Sequence, residues 1–415
     1  MFLMVNVKPF RGLRYNIDKV KDFKLVIMPP YDVVSEEEKK EYLNSSPFNL
    51  LKITLNKDYR EAASIFDEWL SENVFVQDEE LSIYIYSEEF LLDGKRIERI
   101  GFIALAELED VGMGNILPHE KTLYAPKLDR LNLLRYTRAS FGQIFFIYQD
   151  DEKIIDNLME KKMREKPAID FEDKSGTRHR LWKVDDKEVT GKIADVMKSK
   201  KVVIADGHHR YKAAFAFRHE NPHLEGTKYV MATFINKQEG LVILPINRLI
   251  FNVKADVNDV LKKIEEFFTV KKEDEKCMII DLQKNKEKNA FGMYARENDS
   301  YYLLTLKEDK LENVKEICGF QYSLDVALLH KLILERVLKI SVEDLSKQTK
   351  LKYVKGSEEE TLKELKNKKY QFGFFLNPTK LSQVIELTNR NELLPQKSTF
   401  FYPKLYSGLV IYKME

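Results

Sequence analysis

The residues best suited to chemistry lie between an apolar segment and a helix-forming segment. Val202–Ala205 is an apolar run typical of a buried strand, and the chain from Tyr211 onward favours a helix. The residues between them are Asp206, Gly207, His208, His209 and Arg210. A helix N-terminus offers backbone N–H groups and a positive dipole end, and a guanidinium can hold phosphate through two hydrogen bonds. The spacing therefore predicts an anion-binding loop between a strand and a helix.

The residue types in this loop predict phosphate binding combined with proton transfer. We expect the amides of Gly207 and His208, together with Arg210, to hold a phosphate group. We expect Asp206 to act as a general base or as a Mg²⁺ ligand, and His209 to act as an acid or base. A simpler alternative is a polar turn in which Asp206 only accepts hydrogen bonds from the start of the helix. Two histidines followed by an arginine favour the functional interpretation.

A second polar segment, residues 118–122, precedes a predicted helix. We expect its His119, Glu120 and Thr122 to form a second wall of the same site and to contact the nucleotide or substrate. Glu120 would activate a substrate hydroxyl or hold a metal ion; the alternative is a surface loop in which Glu120 and Thr122 cap the helix. His119 and Glu120 could also bind a transition metal together with a histidine of the loop, which keeps a metal-dependent hydrolase as an alternative.

A cation and two hydroxyl residues near residue 400 form another candidate anion-binding run. Lys397, Ser398 and Thr399 are followed by aromatic residues, and no glycine-rich turn precedes them, so the run is not a P-loop. The alternative is an ordinary loop. Arg11 is a further candidate for phosphate binding, with pairing to a surface carboxylate as its alternative. His330 lies within a predicted helix, where we expect a histidine with satisfied hydrogen bonds.

The overall composition limits the classes of protein to which the chain can belong. Its 415 residues are 44% hydrophobic and 33% charged, which indicates a globular protein with more than one domain. The 68 basic and 67 acidic residues leave a net charge of +1, so a dedicated nucleic-acid-binding protein is disfavoured. The two cysteines argue against a disulfide scaffold, and neither a signal peptide nor a membrane span is evident. We therefore expect a cytoplasmic protein without membrane contact, and its oligomeric state stays open.

Strand and helix patterns along the chain predict a mixed α/β fold. Ser35 followed by Glu38 predicts a capped helix over residues 35–44. The largely apolar segment Met278–Leu282 favours a strand, and residues 324–338 favour one long helix.

A shift in composition near residue 251 predicts a domain boundary. We expect an N-terminal α/β domain over 1–250, a Lys/Glu-rich α/β subdomain over 251–320, and a C-terminal segment over 321–415 that packs back to complete the site.

Five motifs resemble those of the domain of unknown function 1015 family. They follow one another along the chain, and the match covers essentially the full length of the chain. They are Lys8-Pro9-Phe10-Arg11-Gly12-Leu13-Arg14, Pro29-Pro30-Tyr31-Asp32-Val33, His119-Glu120-x-Thr122, Asp206-Gly207-His208-His209-Arg210-Tyr211 and Gln396-Lys397-Ser398-Thr399-x-x-Tyr402-Pro403-Lys404. The resemblance implies no activity. The chain departs from the expected pattern at Asn247, where relatives are expected to have a histidine, so any catalytic role of that histidine is absent or altered here.

Residues 184–217 are also similar to the core of the ParB/sulfiredoxin superfamily, in which a Gly-x-x-Arg turn binds nucleotide phosphates. Gly207 and Arg210 match that turn, and Asp206 and His209 match its kinase-like variants, which include archaeal free-serine kinases that use ADP. The resemblance implies a ParB/sulfiredoxin-like core elaborated by additional strands and helices, with Mg²⁺ and ADP or ATP as cofactors. Sulfiredoxin has a cysteine in this turn, where the chain has His208, so sulfiredoxin chemistry is excluded.

Together these patterns predict a nucleotide-dependent phosphotransferase that acts on a small hydroxyl-bearing metabolite. Free serine as the acceptor is implied by the resemblance alone. The alternatives are a metal-dependent hydrolase and a non-catalytic nucleotide-binding regulatory protein. A DNA-binding module, which the partition proteins of the superfamily carry, is disfavoured because no helix-turn-helix segment is evident. The expected partners are therefore a nucleotide and a small-molecule substrate.

Overall fold

The computed structural model of the chain describes residues 4–31, 33–110, 114–120, 124–237 and 240–415, except for the side chains of residues 124 and 125. The chain forms two compact units. The first comprises Met1–Pro118, Thr122–Leu241 and Pro403–Glu415, and the second comprises His119–Lys121 and Val242–Tyr402. The second unit thus starts earlier than the predicted boundary at residue 250, and residues 251–320 lie within it.

The strands alternate with helices along most of the chain. In chain order they are β1 (Val7–Lys8), β2 (Leu13–Tyr15), β3 (Phe75–Gln77), β4 (Ile83–Leu92), β5 (Lys95–Glu107), β6 (Ile116–Pro118), β7 (Ala139–Ser140), β8 (Ile144–Tyr148), β9 (Ile169–Glu172), β10 (Arg178–Val184), β11 (Val202–Asp206), β12 (Tyr229–Asn236), β13 (Val242–Leu244), β14 (Ile246–Ile250), β15 (Phe268–Glu273), β16 (Ala290–Ala295), β17 (Ser300–Leu306), β18 (Leu351–Lys355), β19 (Phe372–Leu376), β20 (Phe400–Tyr402) and β21 (Tyr412–Lys413).

The helices range from single turns to four turns. They are α1 (Ile17–Val20), α2 (Glu36–Ser45), α3 (Leu51–Thr54), α4 (Tyr59–Ser71), α5 (Tyr124–Thr137), α6 (Ile154–Met163), α7 (Lys187–Met197), α8 (His208–Glu220), α9 (Val257–Ile264), α10 (Glu275–Lys284), α11 (Leu311–Cys318), α12 (Asp325–Leu328), α13 (Val342–Lys347), α14 (Glu358–Leu365) and α15 (Leu381–Asn389). Short 3-10 turns occupy Phe23–Leu25, Glu225–Lys228, Glu308–Lys310 and Gly319–Ser323, and a π-helical segment, Leu329–Glu335, follows α12.

A mixed sheet forms the centre of the first unit, with strands in the order β6-β11-β8-β12-β5-β4-β10-β9 and β1 beside β5. The pairs β6–β11 and β8–β12 are parallel, and the other neighbours are antiparallel. Every residue of β8 is buried, as expected for an interior strand that is covered on both faces. Helix α8 follows β11 and packs against α5 and against this sheet. The sheet therefore fixes the position of the β11–α8 turn.

The second unit contains an antiparallel sheet in the order β15-β17-β16-β19-β14-β18, and β13 pairs separately with β20. Alternate residues of a strand point to opposite faces, and the two faces of this sheet carry separate hydrophobic clusters. In β14, Ile250 joins the cluster that includes the π-helical segment, whereas Leu249 joins the cluster with α10 and α14. A sheet covered on both faces explains why β14 is buried throughout.

The predicted mixed α/β fold is confirmed, with one element of the wrong type. The predicted capping box is present, because Ser35 and Glu38 exchange hydrogen bonds at the start of α2. The predicted strand Met278–Leu282 is instead part of α10, whose N-cap Asp274 accepts a hydrogen bond from the amide of Cys277. The predicted helix over 324–338 is divided into α12 and the π-helical segment.

Candidate functional site

The turn between β11 and α8 is shorter than the sequence predicted. Strand β11 extends to Asp206, and α8 begins at His208, so the predicted five-residue loop is wrong. Gly207 alone makes the turn, with a φ of 90° in the left-handed region that favours glycine. His208, His209 and Arg210 therefore form the first turn of the helix, where the positive end of the helix dipole lies.

Asp206 is the centre of a charge cluster in the first unit. Nζ of Lys404 lies 2.5 Å from Oδ1, and Nη2 of Arg210 lies 2.9 Å from Oδ2. Burial alone would raise the pKa of Asp206, but Lys404, Arg210 and His208 hold it well below its usual range. The carboxylate is therefore ionised at physiological pH, and the two cations leave a surplus of positive charge at the start of α8.

The Arg210 guanidinium is fixed between two glycines. Its Nη1 donates to the backbone oxygen of Gln143 at 2.6 Å. A Cβ atom at Gly207 would lie 3.1 Å from Nη2, and one at Gly142 would lie 3.2 Å from Nη1. The absence of a side chain at both glycines thus allows the guanidinium to approach closely. At Gly207 it also allows the positive φ.

Gln143, whose backbone oxygen accepts the hydrogen bond from Arg210, also has a buried side-chain amide. Its side chain is 1% exposed, and neither its amide nitrogen nor its amide oxygen has a hydrogen-bond partner among the residues that the structure describes. Buried amides are nearly always hydrogen-bonded, because an unsatisfied group costs about 1–3 kcal/mol. The Gln143 side chain therefore has hydrogen-bonding capacity that no described residue uses.

A cavity beside Arg210 brings together three segments of the first unit. Arg210 and Ser407 lie on its wall with Tyr31, whose ring centroid is 4.0 Å from Cζ of Arg130. The rest of the wall is mostly apolar and includes Leu133, Leu134, Ala214, Val230 and Met414. Apolar walls with a few convergent polar groups are typical of small-molecule sites.

The two histidines of the turn differ in accessibility. His208 is buried, and its proximity to Asp206 contributes to the low pKa of that carboxyl. His209 is half-buried.

The second unit brings together the other two predicted motifs. Nε2 of His119 lies 2.9 Å from Oγ1 of Thr399, and the amide of Lys397 donates to Oε1 of Glu120 at 3.0 Å. Ser398 is buried and donates to the backbone oxygen of Pro395 at 2.6 Å. The hydroxyl groups of this run thus have contacts within the unit. The second-wall role of these residues stays a prediction, and Thr122 lies outside the described residues.

Arg11 is exposed, and it belongs to the first unit. Nearby, Arg14 makes two hydrogen bonds to the carboxylate of Asp78, at 2.9 and 2.5 Å. In the same motif, Gly12 is required by packing, because a Cβ atom there would lie 2.6 Å from the Tyr84 hydroxyl. The motif therefore has a structural role at Gly12 and Arg14, and phosphate binding by Arg11 stays a prediction.

The described residues offer little for a metal ion. They contain no group of three His, Cys, Asp or Glu side chains arranged to hold one. Asp206 does not fit the predicted role of Mg²⁺ ligand, because each of its oxygens is bonded to a cation that would repel a divalent ion.

Every helix in the described ranges is too short or too polar to cross a bilayer.

Two residues of this cluster were missed by the sequence analysis. Lys404 closes the last of the five motifs, and its position there was a usable signal, but only folding places it on Asp206. Gln143 precedes the apolar strand β8 and carries no signal in the sequence, because only its burial beside Arg210 distinguishes it. Asn247, by contrast, is a structural residue, since its amide bonds Thr361 at 2.8 Å and the Leu376 amide at 3.0 Å.

Comparisons with known proteins place the chain in a family but not in an activity class. A search of curated proteins found no match. Similar solved structures include a mutant free serine kinase in complex with ADP, with 13% identity over 69% of this chain and 84% of that chain and a TM-score of 0.36. A conserved hypothetical protein from Pyrococcus furiosus is 15% identical over 70% of this chain and 89% of that chain, with a TM-score of 0.32.

A C-terminally truncated SbnI from Staphylococcus aureus is 10% identical over 73% of this chain and 84% of that chain, with a TM-score of 0.36. With TM-scores this low, these likenesses say nothing about the site. The family model described as a protein of unknown function (DUF1015) matches residues 7–327, so the chain belongs to the DUF1015 family.

Proposed function

We propose that the first unit is a nucleotide-dependent phosphotransferase that holds nucleotide phosphate at the β11–α8 turn. The observation that carries this proposal is the surplus of positive charge around Asp206, where Arg210 and Lys404 bind a single carboxylate at the start of a helix. Backbone N–H groups at a helix start favour anions, and two cations add to that preference. The unpartnered amide of Gln143, a residue whose backbone oxygen accepts from Arg210, is available to a polar ligand in this proposal.

The acceptor of the phosphoryl group is a small hydroxyl-bearing metabolite in this proposal, with free serine as one candidate. The bond between the terminal phosphorus of the nucleotide and its bridging oxygen breaks, and a bond forms from phosphorus to the acceptor oxygen. The hydroxyl proton passes to the imidazole of His209. Arg210 and Lys404 offset the negative charge on the transferring group, which lowers the barrier. The low pKa of Asp206 makes it a poor proton acceptor. Its role in this proposal is therefore to hold the two cations in place.

Several finer predictions belong to this proposal. ADP or ATP as the nucleotide and Mg²⁺ as its companion rest on sequence resemblance, and no step above depends on a metal ion. Glu120 as an alternative acid or base belongs to the second unit and stays a prediction. No observation favours the metal-dependent hydrolase over the phosphotransferase.

Calorimetric titration with ADP, ATP and CTP, with and without Mg²⁺, tests the phosphate assignment. We expect Arg210→Ala to weaken nucleotide binding by about 1.5–3 kcal/mol, the range for hydrogen bonds to a charged group. Arg164→Ala is the matched control, since Arg164 is an exposed arginine of the same unit. Equal affinities in the wild type and the Arg210 variant would refute the assignment, as would the absence of binding by all three nucleotides.

Phosphorus NMR of the nucleotide with serine and other hydroxyl compounds tests turnover. We expect His209→Gln to keep nucleotide affinity and to lose transfer, because the proton acceptor is removed while the cations remain. Glu120→Gln should behave in the same way if Glu120 is the acid or base, and should retain turnover if His209 alone carries that role. Nucleotide binding without turnover for any acceptor would favour the regulatory protein instead.

A further inference from the structure

The second unit contains a buried arginine whose charge is only partly compensated. Arg248 in β14 is fully buried, and its Nη atoms donate to the backbone oxygens of Ile246 and Lys397, the latter at 2.8 Å. Within the described part of the chain, no carboxylate forms an ion pair with Arg248, and its Nε has no hydrogen-bond partner. Burying a cation without a counter-charge is unfavourable, so a buried guanidinium in this state calls for an anion.

Two further polar groups near Arg248 are buried without partners. Tyr353 lies directly opposite Arg248 in the β14–β18 pairing, and its ring centroid is 5.2 Å from Cζ of Arg248. His330 lies in the π-helical segment and is 5% exposed. Among the described residues, neither the Tyr353 hydroxyl nor Nε2 of His330 finds a hydrogen-bond partner, so the prediction of a satisfied His330 is wrong. A π-helical segment is itself frequent at functional sites.

Both of these groups lie on the wall of one cavity. The cavity has a volume of about 280 Å³, which is ample for several water molecules or a small metabolite. The wall also contains the apolar side chains Val342, Leu345 and Leu393 and one pair of opposite charges, Lys331 and Glu335. The cavity thus combines unsatisfied polar groups with a surface suited to hydrocarbon.

The electrostatics of the cluster favour a negatively charged ligand. Burial lowers the pKa of Arg248 to about 10, even though Tyr353 and Glu120 act to raise it. Those two groups therefore do not fully compensate the buried charge. Burial and the charge of Arg248 hold the pKa of His330 well below its usual value. The imidazole is consequently neutral at physiological pH, and in one tautomer its Nε2 carries a proton to donate.

We propose that this cavity binds the carboxylate group of a small organic acid. The carboxylate accepts hydrogen bonds from the Tyr353 hydroxyl and from Nε2 of His330, and the charge of Arg248 behind Tyr353 compensates it. The apolar residues of the wall contact the hydrocarbon part of the acid. Arg248 and Lys331 are the cations near the cavity and Glu335 on its wall offsets one of them, so the site suits the single charge of a carboxylate better than the double charge of a phosphate. This inference concerns the second unit and does not depend on the proposed phosphotransferase.

Thermal unfolding of the full chain with matched probes tests the proposal. Butyrate, succinate and benzoate are compared with butyramide, succinamide and benzamide, which have similar shapes without the charge, and with inorganic phosphate. A ligand of the folded state raises Tm with its concentration, which yields its affinity. We expect at least one carboxylate to bind about tenfold more tightly than its amide and than phosphate. Equal effects of every acid and its amide, or a stronger effect of phosphate, would overturn the carboxylate assignment.

Substitutions locate the binding and separate it from folding. Tyr353→Phe removes only an unpartnered hydroxyl, so we expect an unchanged Tm without probe and about a tenfold loss of carboxylate affinity. His330→Leu should act in the same direction. Tyr322→Phe, at a half-buried tyrosine of the same unit, is the matched control and should leave affinity unchanged. Carboxylate binding that persists at full strength in Tyr353→Phe and His330→Leu would place the ligand elsewhere and refute the site.

Discussion

Lys404 donates a hydrogen bond to Asp206 across 198 positions of sequence, with 2.5 Å between Nζ and Oδ1. The lysine side chain is 9% exposed and the aspartate side chain 21% exposed, so water screens the pair only weakly. Arg210 holds the other oxygen of the same carboxylate. The charge cluster at the turn therefore depends on a residue far in sequence from the motif that forms the turn.

Replacing Lys404 should weaken nucleotide binding without abolishing it. In Lys404→Gln the turn loses one of its two cations, and we expect about a tenfold loss of affinity, close to the lower end of the range for a hydrogen bond to a charged group. Calorimetry measures the change. Lys201→Gln is the control, because Lys201 is an exposed lysine just before β11. A Lys404 variant that binds nucleotide as the wild type does would show that Lys404 serves only the fold.

Gly207→Ala should affect both stability and binding. The positive φ costs about 1–2 kcal/mol for a residue with a side chain, and the new Cβ would press against the Arg210 guanidinium. Gly176→Ala is a matched control, since Gly176 also has a positive φ but has open space around its Cβ position. Chemical denaturation should show a loss of stability in both variants, and the loss should be larger in Gly207→Ala, where the new Cβ also meets Arg210. Nucleotide affinity should fall in Gly207→Ala alone, and an equal fall in both would contradict the proposed role of Arg210.

Gln143→Met should weaken nucleotide binding without lowering the stability of the fold. Methionine has a volume similar to that of glutamine but lacks its two unsatisfied polar groups. We therefore expect the free energy of unfolding to stay the same or to rise by about 1 kcal/mol. Nucleotide affinity should fall if the amide contacts the ligand. Gln149→Met, at the exposed end of the segment that follows β8, is the control. A clear loss of stability in Gln143→Met would mean that the amide has a structural partner.

Asp325 should make the second unit less stable as the pH rises. Burial raises its pKa to about 7, although Asn289 and Lys380 act to lower it. The folded chain therefore holds this proton more tightly than the unfolded chain does, where the pKa is about 3.9. The resulting stabilisation is present below about pH 4 and is lost as the pH rises to about 7.

In Asp325→Asn, the decline of the unfolding free energy between pH 4 and pH 8 should be smaller by about 2–4 kcal/mol than in the wild type. Denaturation at several pH values measures this difference. Asp309→Asn, at an exposed aspartate, should leave the decline unchanged. Parallel pH profiles of the wild type and Asp325→Asn would rule out a raised pKa at Asp325.

The elements predicted best were those with local signals. The capping box at Ser35 and Glu38 is a contact between neighbours in sequence, and the structure contains it. The strand predicted at Met278–Leu282 is wrong because a short, largely apolar run fits both a strand and a helix. Its Met278 and Leu282 are buried whereas Ile280 is 49% exposed, a helical spacing that becomes clear only with the burial known.

The candidate site was predictable in its motifs but not in its electrostatics. The turn residues Asp206 and Arg210 were identified from their setting between a strand and a helix. The pairing of Asp206 with two cations, which argues against a metal at that carboxylate, results from tertiary contacts. The cavity around His330 and Tyr353 could not be predicted from the sequence either, because neither residue type nor spacing indicates an unsatisfied buried group.

The discontinuity of the first unit has a consequence for how the protein is made. A ribosome synthesises the turn at Asp206 and the whole second unit before it reaches Pro403–Glu415, the last part of the first unit. Until then a nascent chain has one of the two cations of the turn, Arg210, and lacks β21. The first unit therefore begins before the second unit in the chain and is completed after it, and the pairing of Asp206 with both cations can form only once Lys404 has been synthesised.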